Sequence, residues 1–394
     1  MYRYSKRLSW SVPNNLFSIL LGERRAAGNP LLDLTVSNPT EAFPDYPHSE
    51  IAEALGSIRN FRYQPEPFGR MDTRAVIVRR LEQRTPGLDL TPQHVALTAS
   101  TSEAYSHLFK LLADPGDEVL VPTPSYPLFD YLAQLEAVKL KPYRLVYDGS
   151  WSIDFSSLEA AASHKTRAII LVNPNNPTGS FLKRSEFDNL RNFALNRGLP
   201  LISDEVFMDY GFAGSTDRVS TLNGHHDVLS FALNGLSKAA GMPQMKLAWI
   251  SVNGPPNVRE QACARLELLL DTYLSVSTPV QLASEGLLSI GDRIQDSIRN
   301  RIQKNLSRLA TLLSDERIHM LHTEGGWSAV LRVPKILSEE QWITRLLQEH
   351  DVVVQPGYFF DLSGGTFLVA SLLTPEDTFA AGVSRMLDLS KSLG

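Results

Sequence analysis

Residues 168–179 read AIILVNPNNPTG, a run of five apolar residues that passes directly into a polar loop. Because AIILV is apolar without alternation, it is typical of a strand that is covered on both faces of a parallel sheet. Working outward from it, further short apolar runs alternate with helical patterns of about 10–15 residues, which indicates βαβ crossovers. The sequence therefore predicts an α/β fold with a mainly parallel sheet.

The predicted elements fall into two groups along the chain. Strands of the parallel sheet are predicted at Val95–Ala99, Glu118–Val121, Ala168–Val172, Leu201–Ser203 and Val228–Leu233, with helices at Glu103–Leu112 and in the segment ending at Ala137. After Pro279 the pattern predicts helices over 279–289 and 292–314, a strand in WSAVLRV, a helix over 338–349, strands in VVVQP and TFLVAS, and a last helix from Pro375. We expect residues 1–45 to form an N-terminal arm and part of a small domain, 46–280 a large domain, and 281–394 a small α+β domain.

Composition narrows the class of protein. The chain has 394 residues, a formal net charge of −5 and one cysteine, Cys263. The charge gives no reason to expect nucleic acid or an anionic membrane as a partner, and one cysteine cannot form an intrachain disulfide. No apolar run reaches the roughly 18 residues of a membrane span, and no secretory leader is evident, so we expect a cytoplasmic protein. His225 and His226 are interpreted as a solvated turn, and we expect no metal site.

Polar residues follow the predicted strands at the point where each strand ends. They are Ser100-Thr101-Ser102-Glu103, the TPSY segment with Tyr126, NPNNPTG with Asn176, Asp204-Glu205, and NGLSK with Ser237 and Lys238. Open parallel sheets bind ligands beyond the carboxyl ends of their strands. The sequence therefore predicts one crevice that collects these side chains.

Each of these features has a plain structural reading beside a functional one. Ser100 and Glu103 form a capping box, and the same helix N-terminus could hold a phosphate. A carboxylate at Asp204, after a buried strand, would need a cationic partner, and Glu205 should point to the opposite face. Lys238 could be a surface lysine, or a desolvated nucleophile toward carbonyl groups.

Taken together, NPNNPTG, DEVF and NGLSKAAGMPQMKLAW resemble the class I/II aminotransferases, a group of fold type I enzymes that use pyridoxal 5'-phosphate (PLP). The resemblance extends from the segment YQPEPFG, which contains Tyr63, to the closing helix. It implies a large domain with a mainly parallel seven-stranded sheet, a smaller α+β domain, and a homodimer with active sites at the interface. The implied substrates are a small-molecule amine and a small-molecule carbonyl compound.

The resemblance also implies roles for individual residues. Lys238 would hold PLP as a Schiff base, Asp204 would pair with its ring nitrogen, Asn176 would bind its phenolic oxygen, and Tyr126 would stack on its ring. Ser100, Thr101, Ser237 and Lys246 would bind its phosphate, which Tyr63 would reach from the neighbouring subunit.

Four departures from the family pattern concern the cofactor and the substrate. Phe207 stands where a tyrosine is usual, Gly235 replaces a serine, and Lys246 replaces an arginine. Val369 aligns with the arginine that binds the substrate α-carboxylate, and residues 361–374 contain no arginine. Either another residue serves (Asn38, Arg70 and Arg332 are candidates), or the substrate lacks that carboxylate, or the alignment is shifted.

Phe207 supports a first testable prediction. A tyrosine at this position would donate a hydrogen bond that stabilises the cofactor phenolate. We therefore expect Phe207→Tyr to lower the pKa of the Lys238 Schiff base, measured by a spectral pH titration of the holoprotein. An unchanged titration would count against this role for the position.

The expected function is an aminotransferase that transfers an amino group from an amino acid or related primary amine to a 2-oxo acid or other carbonyl acceptor by a ping-pong mechanism. The same residues would also support β-elimination (C–S lyase), decarboxylation or racemisation, because the cofactor performs the chemistry. A PLP-binding sensor without catalysis is a further alternative. A nicotinamide enzyme is disfavoured because no G-x-G-x-x-G follows a predicted strand.

Overall fold

The structure is a computed structural model, and it describes residues 2, 4–8, 16–43, 45–213, 217–223, 227–314 and 317–393. In these ranges the α-helices are α1 Leu16–Ala26, α2 Pro39–Ala42, α3 His48–Gly56, α4 Met71–Arg84, α5 Thr101–Leu112, α6 Phe129–Leu135, α7 Phe155–Ala161, α8 Arg184–Arg197, α9 Leu236–Ala239, α10 Pro256–Tyr273, α11 Thr278–Leu312, α12 Glu339–His350 and α13 Glu376–Ser392. The strands are β1 Leu32–Asp33, β2 Val95–Thr98, β3 Glu118–Thr123, β4 Lys139–Tyr147, β5 Trp151–Ile153, β6 Thr166–Val172, β7 Leu201–Asp204, β8 Ser230–Gly235, β9 Ala248–Asn253, β10 His319–Met320, β11 Ser328–Arg332, β12 Val352–Val353, β13 Gln355–Pro356 and β14 Phe367–Ser371.

The large sheet has the strand order β2-β9-β8-β7-β6-β3-β4-β5. Its centre, from β8 to β4, is parallel, whereas β9 and β5 run antiparallel to their neighbours. The prediction of a mainly parallel sheet is confirmed, but the sheet has eight strands in the described residues where seven were expected. The short strand β5 adds the eighth, by pairing with β4 at the sheet edge.

The register of the parallel strands brings the predicted polar residues together. Val172 of β6 lies beside Asp204 of β7, and Asp204 lies beside Leu233 of β8. The loop after β6 and the segment carrying Lys238 after β8 therefore emerge on either side of Asp204. Parallel strands end at a common edge, so this geometry follows from the sheet type alone.

A second sheet has the order β10-β11-β14-β13 and is antiparallel. The strand β12, which directly precedes β13 in the chain, pairs in parallel with β1 from the N-terminal segment. This pairing joins residues before 45 to the C-terminal part of the chain. The domain boundaries at 45 and 280 stay predictions.

The prediction of two helices over 279–289 and 292–314 was wrong, because α11 is a single helix from Thr278 to Leu312. Gly291, near the expected break, lies inside it. A Cβ on Gly291 would stand 2.4 Å from Cβ of Ala240. The glycine therefore serves close packing of α11 against the segment that follows Lys238, and it does not end the helix.

Apolar side chains from both parts of the chain form one large core cluster. It extends from Leu34 and Ile77 through Trp249 and Leu287 to Phe379, all of which are buried. Within the ranges the structure describes, none of the helices combines the length and apolar character needed to cross a membrane.

Candidate active site

A cavity of about 360 Å³ opens at the carboxyl edge of the large sheet, between that sheet and the strands β11, β13 and β14. The predicted residues that line it are Ser100, Thr101, Tyr126, Asn176, Asp204, Ser237 and Lys238. They come from five separate strand ends. The structure therefore confirms that these strand ends meet in one crevice, while the role of each residue stays a prediction.

Lys238 lies on the short helix α9, directly after β8. Its Nζ lies 5.3 Å from the ring centre of Trp327 and 5.9 Å from that of Phe207. Burial lowers the pKa of the Lys238 amine, and the nearby Asp204 carboxylate partly opposes this effect. The hydroxyl of Tyr210 donates to the carbonyl of Lys238 over 2.5 Å and fixes the backbone. A desolvated amine held in this way is suited to attack a carbonyl carbon.

Asp204 ends β7 at the base of the cavity. Its Oδ2 accepts a hydrogen bond from the Tyr105 hydroxyl at 3.3 Å, and its Oδ1 accepts from the amide of Val206 at 3.2 Å. Burial raises the pKa of Asp204 to about 6, against the lowering effect of these hydrogen bonds and of Lys238. A carboxylate enclosed with neutral donors is stabilised by a cation, so this position favours a positively charged ligand group.

Glu205 points away from the cavity, as the alternation along a strand predicts. Its carboxylate accepts hydrogen bonds from the hydroxyls of Ser203, Ser220 and Thr221 at 2.6–3.0 Å, and from the amide of Thr221 at 2.9 Å. Burial raises the pKa of Glu205, and these donors oppose the change. Glu205 therefore holds the loop at 220–221 against β7 and is a structural carboxylate.

The N-terminus of α5 faces the cavity. Ser100 is the N-cap residue, and its Oγ accepts from the amide of Glu103 at 3.1 Å. Glu103 in turn accepts from the amide of Ala99 at 2.6 Å. In a standard capping box it would accept from the amide of the N-cap residue itself, here Ser100. Thr101 and Ser102 line the cavity beside Ser100. A helix N-terminus with three hydroxyls attracts an anion.

Of the three asparagines of NPNNPTG, two form hydrogen bonds that shape the loop and one lines the cavity. The Asn173 side chain donates to the carbonyl of Val219 and accepts from the amide of Leu182, and the Asn175 side chain accepts from Thr178. Both are buried and shape the loop. Asn176 lines the cavity, where its Oδ1 lies 3.5 Å from the Ser328 hydroxyl.

The three candidates for a substrate contact lie outside the cavity lining. Asn38 caps α2 by accepting from the amide and hydroxyl of Thr40. Arg70 forms an ion pair with Asp72 at 2.6 Å. Arg332 is exposed, with its guanidinium 5.7 Å from the ring centre of Phe367. Each of the three side chains therefore contacts a residue of this chain that does not line the cavity.

Two predicted phosphate contacts also lie outside the cavity lining. Lys246 is exposed, at a backbone φ of 51°. Tyr63 is 66% exposed in a segment without helix or strand. An exposed tyrosine that does not reach its own cavity is compatible with a contact to a second copy of the chain.

The packing around Gly235 and Phe207 explains two of the departures from the family pattern. Gly235 is paired with Ala248, and a Cβ on Gly235 would stand 2.8 Å from the Cβ of Ala248, so a serine does not fit without displacement. Phe207 packs in T-shaped contact with Trp327, their ring centres 5.3 Å apart. This apolar contact accounts for a phenyl ring at the cavity wall.

Several cavity residues were not identified from the sequence. They are Thr35, Ser37, Pro127, Phe129, Val172, Val206, Trp327, Ser328, Gln355, Phe360 and Ser371, together with Tyr105 beneath Asp204. Most of them belong to segments that only tertiary packing brings to the sheet edge. The glycine pair directly before Trp327 is a local signal by which that position could have been found. His225 and His226 lie outside the described residues, and no cluster of potential metal ligands occurs among the residues that are described.

Comparisons with known proteins agree with this geometry. The sequence model of the family described as aminotransferase class I and II matches residues 27–378. Glutamate-pyruvate aminotransferase AlaA from Haemophilus influenzae is 26% identical over 349 residues, which cover 85% of this chain and 84% of that protein. Nicotianamine aminotransferase 1 from Oryza sativa is 27% identical over 291 residues, 73% of this chain but only 56% of that protein. The solved alanine aminotransferase from Pyrococcus furiosus matches with a TM-score of 0.88 and 25% identity, covering 99% of this chain and 100% of that one.

Fold and site together define a PLP-dependent enzyme of fold type I. The chain belongs to the class I and II aminotransferase family, whose members use PLP. The cavity residues fit this cofactor: an amine of lowered pKa for the aldehyde, an enclosed carboxylate for a ring cation, and a helix N-terminus for the phosphate.

Proposed function

We propose that this protein is an aminotransferase that moves an amino group from a primary amine to a carbonyl acceptor in ping-pong order. One observation carries the proposal. An amine of lowered pKa, Lys238, and a carboxylate of raised pKa, Asp204, share one cavity with a hydroxyl-lined helix N-terminus. Opposite perturbations of a neighbouring base and acid are typical of functional sites.

The residues would divide the work as follows. Lys238 would hold the cofactor by its aldehyde, and its amine would move the proton at the substrate carbon. Asp204 keeps the ring nitrogen charged, and Tyr105 orients that carboxylate. Ser100, Thr101 and Ser237 bind the phosphate, Asn176 the phenolic oxygen, and Tyr126 covers the ring. PLP, when bound, supplies the electron sink for the bond that breaks.

The proposal includes a homodimer in which Tyr63 reaches the phosphate bound by the other subunit. Its support is the exposure of Tyr63 and of its neighbour Phe61, at 66% and 59%. Exposed aromatic side chains are enriched at interfaces between proteins. Lys246, in the loop before β9, would add a positive charge near the phosphate. The proposal also includes a cytoplasmic location.

Borohydride reduction of the holoprotein tests the central contact. We expect mass spectrometry of a digest to find a pyridoxyl group on Lys238, and we expect none in Lys238→Ala. A group fixed on a different lysine, or a colourless protein in the presence of PLP, would contradict the proposal.

Product analysis separates transamination from the other reactions. With an amine donor alone, a transaminase should release one carbonyl product per site and stop, because the amino group stays on the enzyme until an acceptor arrives. Continuous release of ammonia or carbon dioxide without an acceptor would show elimination or decarboxylation instead.

A further inference from the structure

The described lining of the cavity carries two charged side chains, Asp204 and Lys238. Their charges are opposite, and under the proposed function both are committed, Asp204 to the ring nitrogen and Lys238 to the reacting carbon. A substrate carboxylate that entered this cavity would find no other cation among the described lining residues that its own chain supplies. An unpaired carboxylate in an enclosed site is strongly destabilised.

The wall formed by β11, β13 and β14 is neutral. In this sheet Gln355 pairs with Val369, Val330 pairs with Val369, and Ser328 pairs with Ser371. Directly paired residues share a face of a sheet. Since Gln355, Ser328 and Ser371 line the cavity, Val330 and Val369 belong to the cavity-side face.

Behind these polar positions the wall is apolar. Val330 and Val369 are buried in a cluster with Phe360, which itself lines the cavity. Trp327 adds an aromatic surface on the side of Lys238. The pairing fixes which residues face the cavity, so a shifted sequence alignment does not account for the missing cation.

We infer that the amine substrate has no carboxylate on the carbon that bears its amino group. Its alkyl or aryl substituent packs against Phe360 and Trp327, and Gln355 binds a neutral polar group if one is present. This inference rests on the proposed aminotransferase function and names its substrate class.

The acceptor follows from the same argument. Both half-reactions use one cavity, so the acceptor is an aldehyde or ketone without an adjacent carboxylate. The amine loses its amino group and becomes a carbonyl compound, and the acceptor gains that amino group and becomes an amine. The exchange balances without an added oxidant or reductant.

Matched pairs of compounds test the substrate class. The holoenzyme is mixed with 2-phenylethylamine or phenylalanine, and with butylamine or norvaline, which differ only in the carboxylate. We expect the half-reaction, followed by cofactor absorbance, to be at least about tenfold more efficient for each amine. An equal or higher efficiency with the amino acids would overturn the inference and leave the aminotransferase proposal intact.

Binding separates failure of the inference from failure of the function. Calorimetry measures the affinity of the same compounds whether or not they react. Tighter binding of the amines without any amino transfer would support the substrate class and contradict the aminotransferase proposal. Tighter binding of the amino acids would overturn the substrate class.

A charge introduced at the wall provides the matched variant. Gln355→Arg places a guanidinium at a half-buried cavity position, and Gln355→Met keeps a similar length without charge. We expect Gln355→Arg to shift the phenylalanine to phenylethylamine affinity ratio toward phenylalanine by about tenfold or more, whereas Gln355→Met keeps the preference for the amine. If neither variant changes the ratio, the β11, β13 and β14 wall does not select the substrate, and the inference is wrong.

Discussion

At the scale of single residues, Asp204 shows how function and stability oppose each other. Burial raises its pKa from 3.8 to about 6, so the folded cofactor-free protein binds this proton more tightly than the unfolded chain does. The proton bound by Asp204 therefore stabilises the folded state. This contribution is fully present below about pH 4 and is lost as the pH rises through about 6. Above that pH the enclosed, ionised carboxylate destabilises the folded protein, and a positively charged cofactor ring would remove this destabilisation.

We therefore expect Asp204→Asn to stabilise the cofactor-free protein at pH 8, by roughly 3 kcal/mol at most. The gain should shrink as the pH falls toward 4, measured by urea unfolding of both proteins at each pH. The same variant should lose most of its amino transfer in the holoenzyme, because an amide cannot hold the ring nitrogen charged.

Asp154 offers a control of opposite sign. The Arg144 hydrogen bond and the amide of Ser157 lower the pKa of this half-buried carboxylate. Asp154→Asn should therefore reduce stability at pH 8 and leave amino transfer unchanged. A stability gain for Asp204→Asn that does not vary with pH would contradict the explanation given for Asp204.

At the scale of elements, α5 combines a structural cap with an anion site. Ser100→Ala removes the hydroxyl that accepts from the amide of Glu103, and we expect a loss of about 1 kcal/mol in unfolding free energy. We also expect a severalfold weaker affinity for PLP, measured by titration of the cofactor-free protein, because one of the hydroxyls at the helix N-terminus is lost.

Ser338 provides the matched control for Ser100. It caps α12 in the same way, accepting from the amide of Gln341 at 3.2 Å, and it does not line the cavity. Ser338→Ala should cost a similar amount of stability without changing PLP affinity. Equal PLP affinities for the two variants would show that Ser100 is only a cap.

The long helix α11 carries two glycines with different surroundings. A Cβ on Gly291 would lie 2.4 Å from that of Ala240, whereas on Gly286 the nearest atom, Cβ of Ala54, would be 3.6 Å away. Gly286→Ala should stabilise the protein by up to about 1 kcal/mol through helix propensity. Gly291→Ala should instead destabilise it by about 1–3 kcal/mol through overpacking next to the Lys238 segment. Thermal unfolding measures both, and a gain for Gly291→Ala would contradict the packing explanation.

These elements also show what the sequence could and could not predict. The strands β2, β3, β6, β7 and β8 were predicted to within about two residues, because buried strands are continuously apolar and end in polar loops. The strand β4 was not identified, since its sequence KLKPYRLVY is partly exposed and contains a proline and three basic residues. The break predicted in α11 failed because a glycine can serve close packing as well as helix termination.

At the scale of the whole molecule, the same division holds for the candidate site. Residues placed by the parallel sheet, such as Asp204 and Lys238, could be predicted because strand ends share an edge. Trp327, Gln355 and Ser371 could not, because they lie in, or directly before, strands of a second sheet whose position depends on tertiary packing. No local pattern fixes how one sheet faces another.

Tyr63 supports the last prediction, which concerns the dimer. If Tyr63 completes the site of the other subunit, Tyr63→Ala and Lys238→Ala should each reduce activity, yet a mixture should recover part of it. The reason is that a heterodimer of the two variants contains one site with both residues intact. Equal amounts with random reassociation should give about a quarter of the wild-type activity, since half of the dimers then hold one intact site out of two.

A second mixture shows whether this recovery reports contact between subunits. Asp204 and Lys238 line the same cavity of one chain, so a heterodimer of Asp204→Asn and Lys238→Ala contains no intact site. That mixture should stay inactive under the conditions in which the Tyr63 mixture recovers. If the Tyr63 mixture also stays inactive although exchange of subunits is demonstrated by mass spectrometry, Tyr63 acts within its own chain or has no catalytic role. Its exposure would then need another cause, and the homodimer with shared active sites would lose its support.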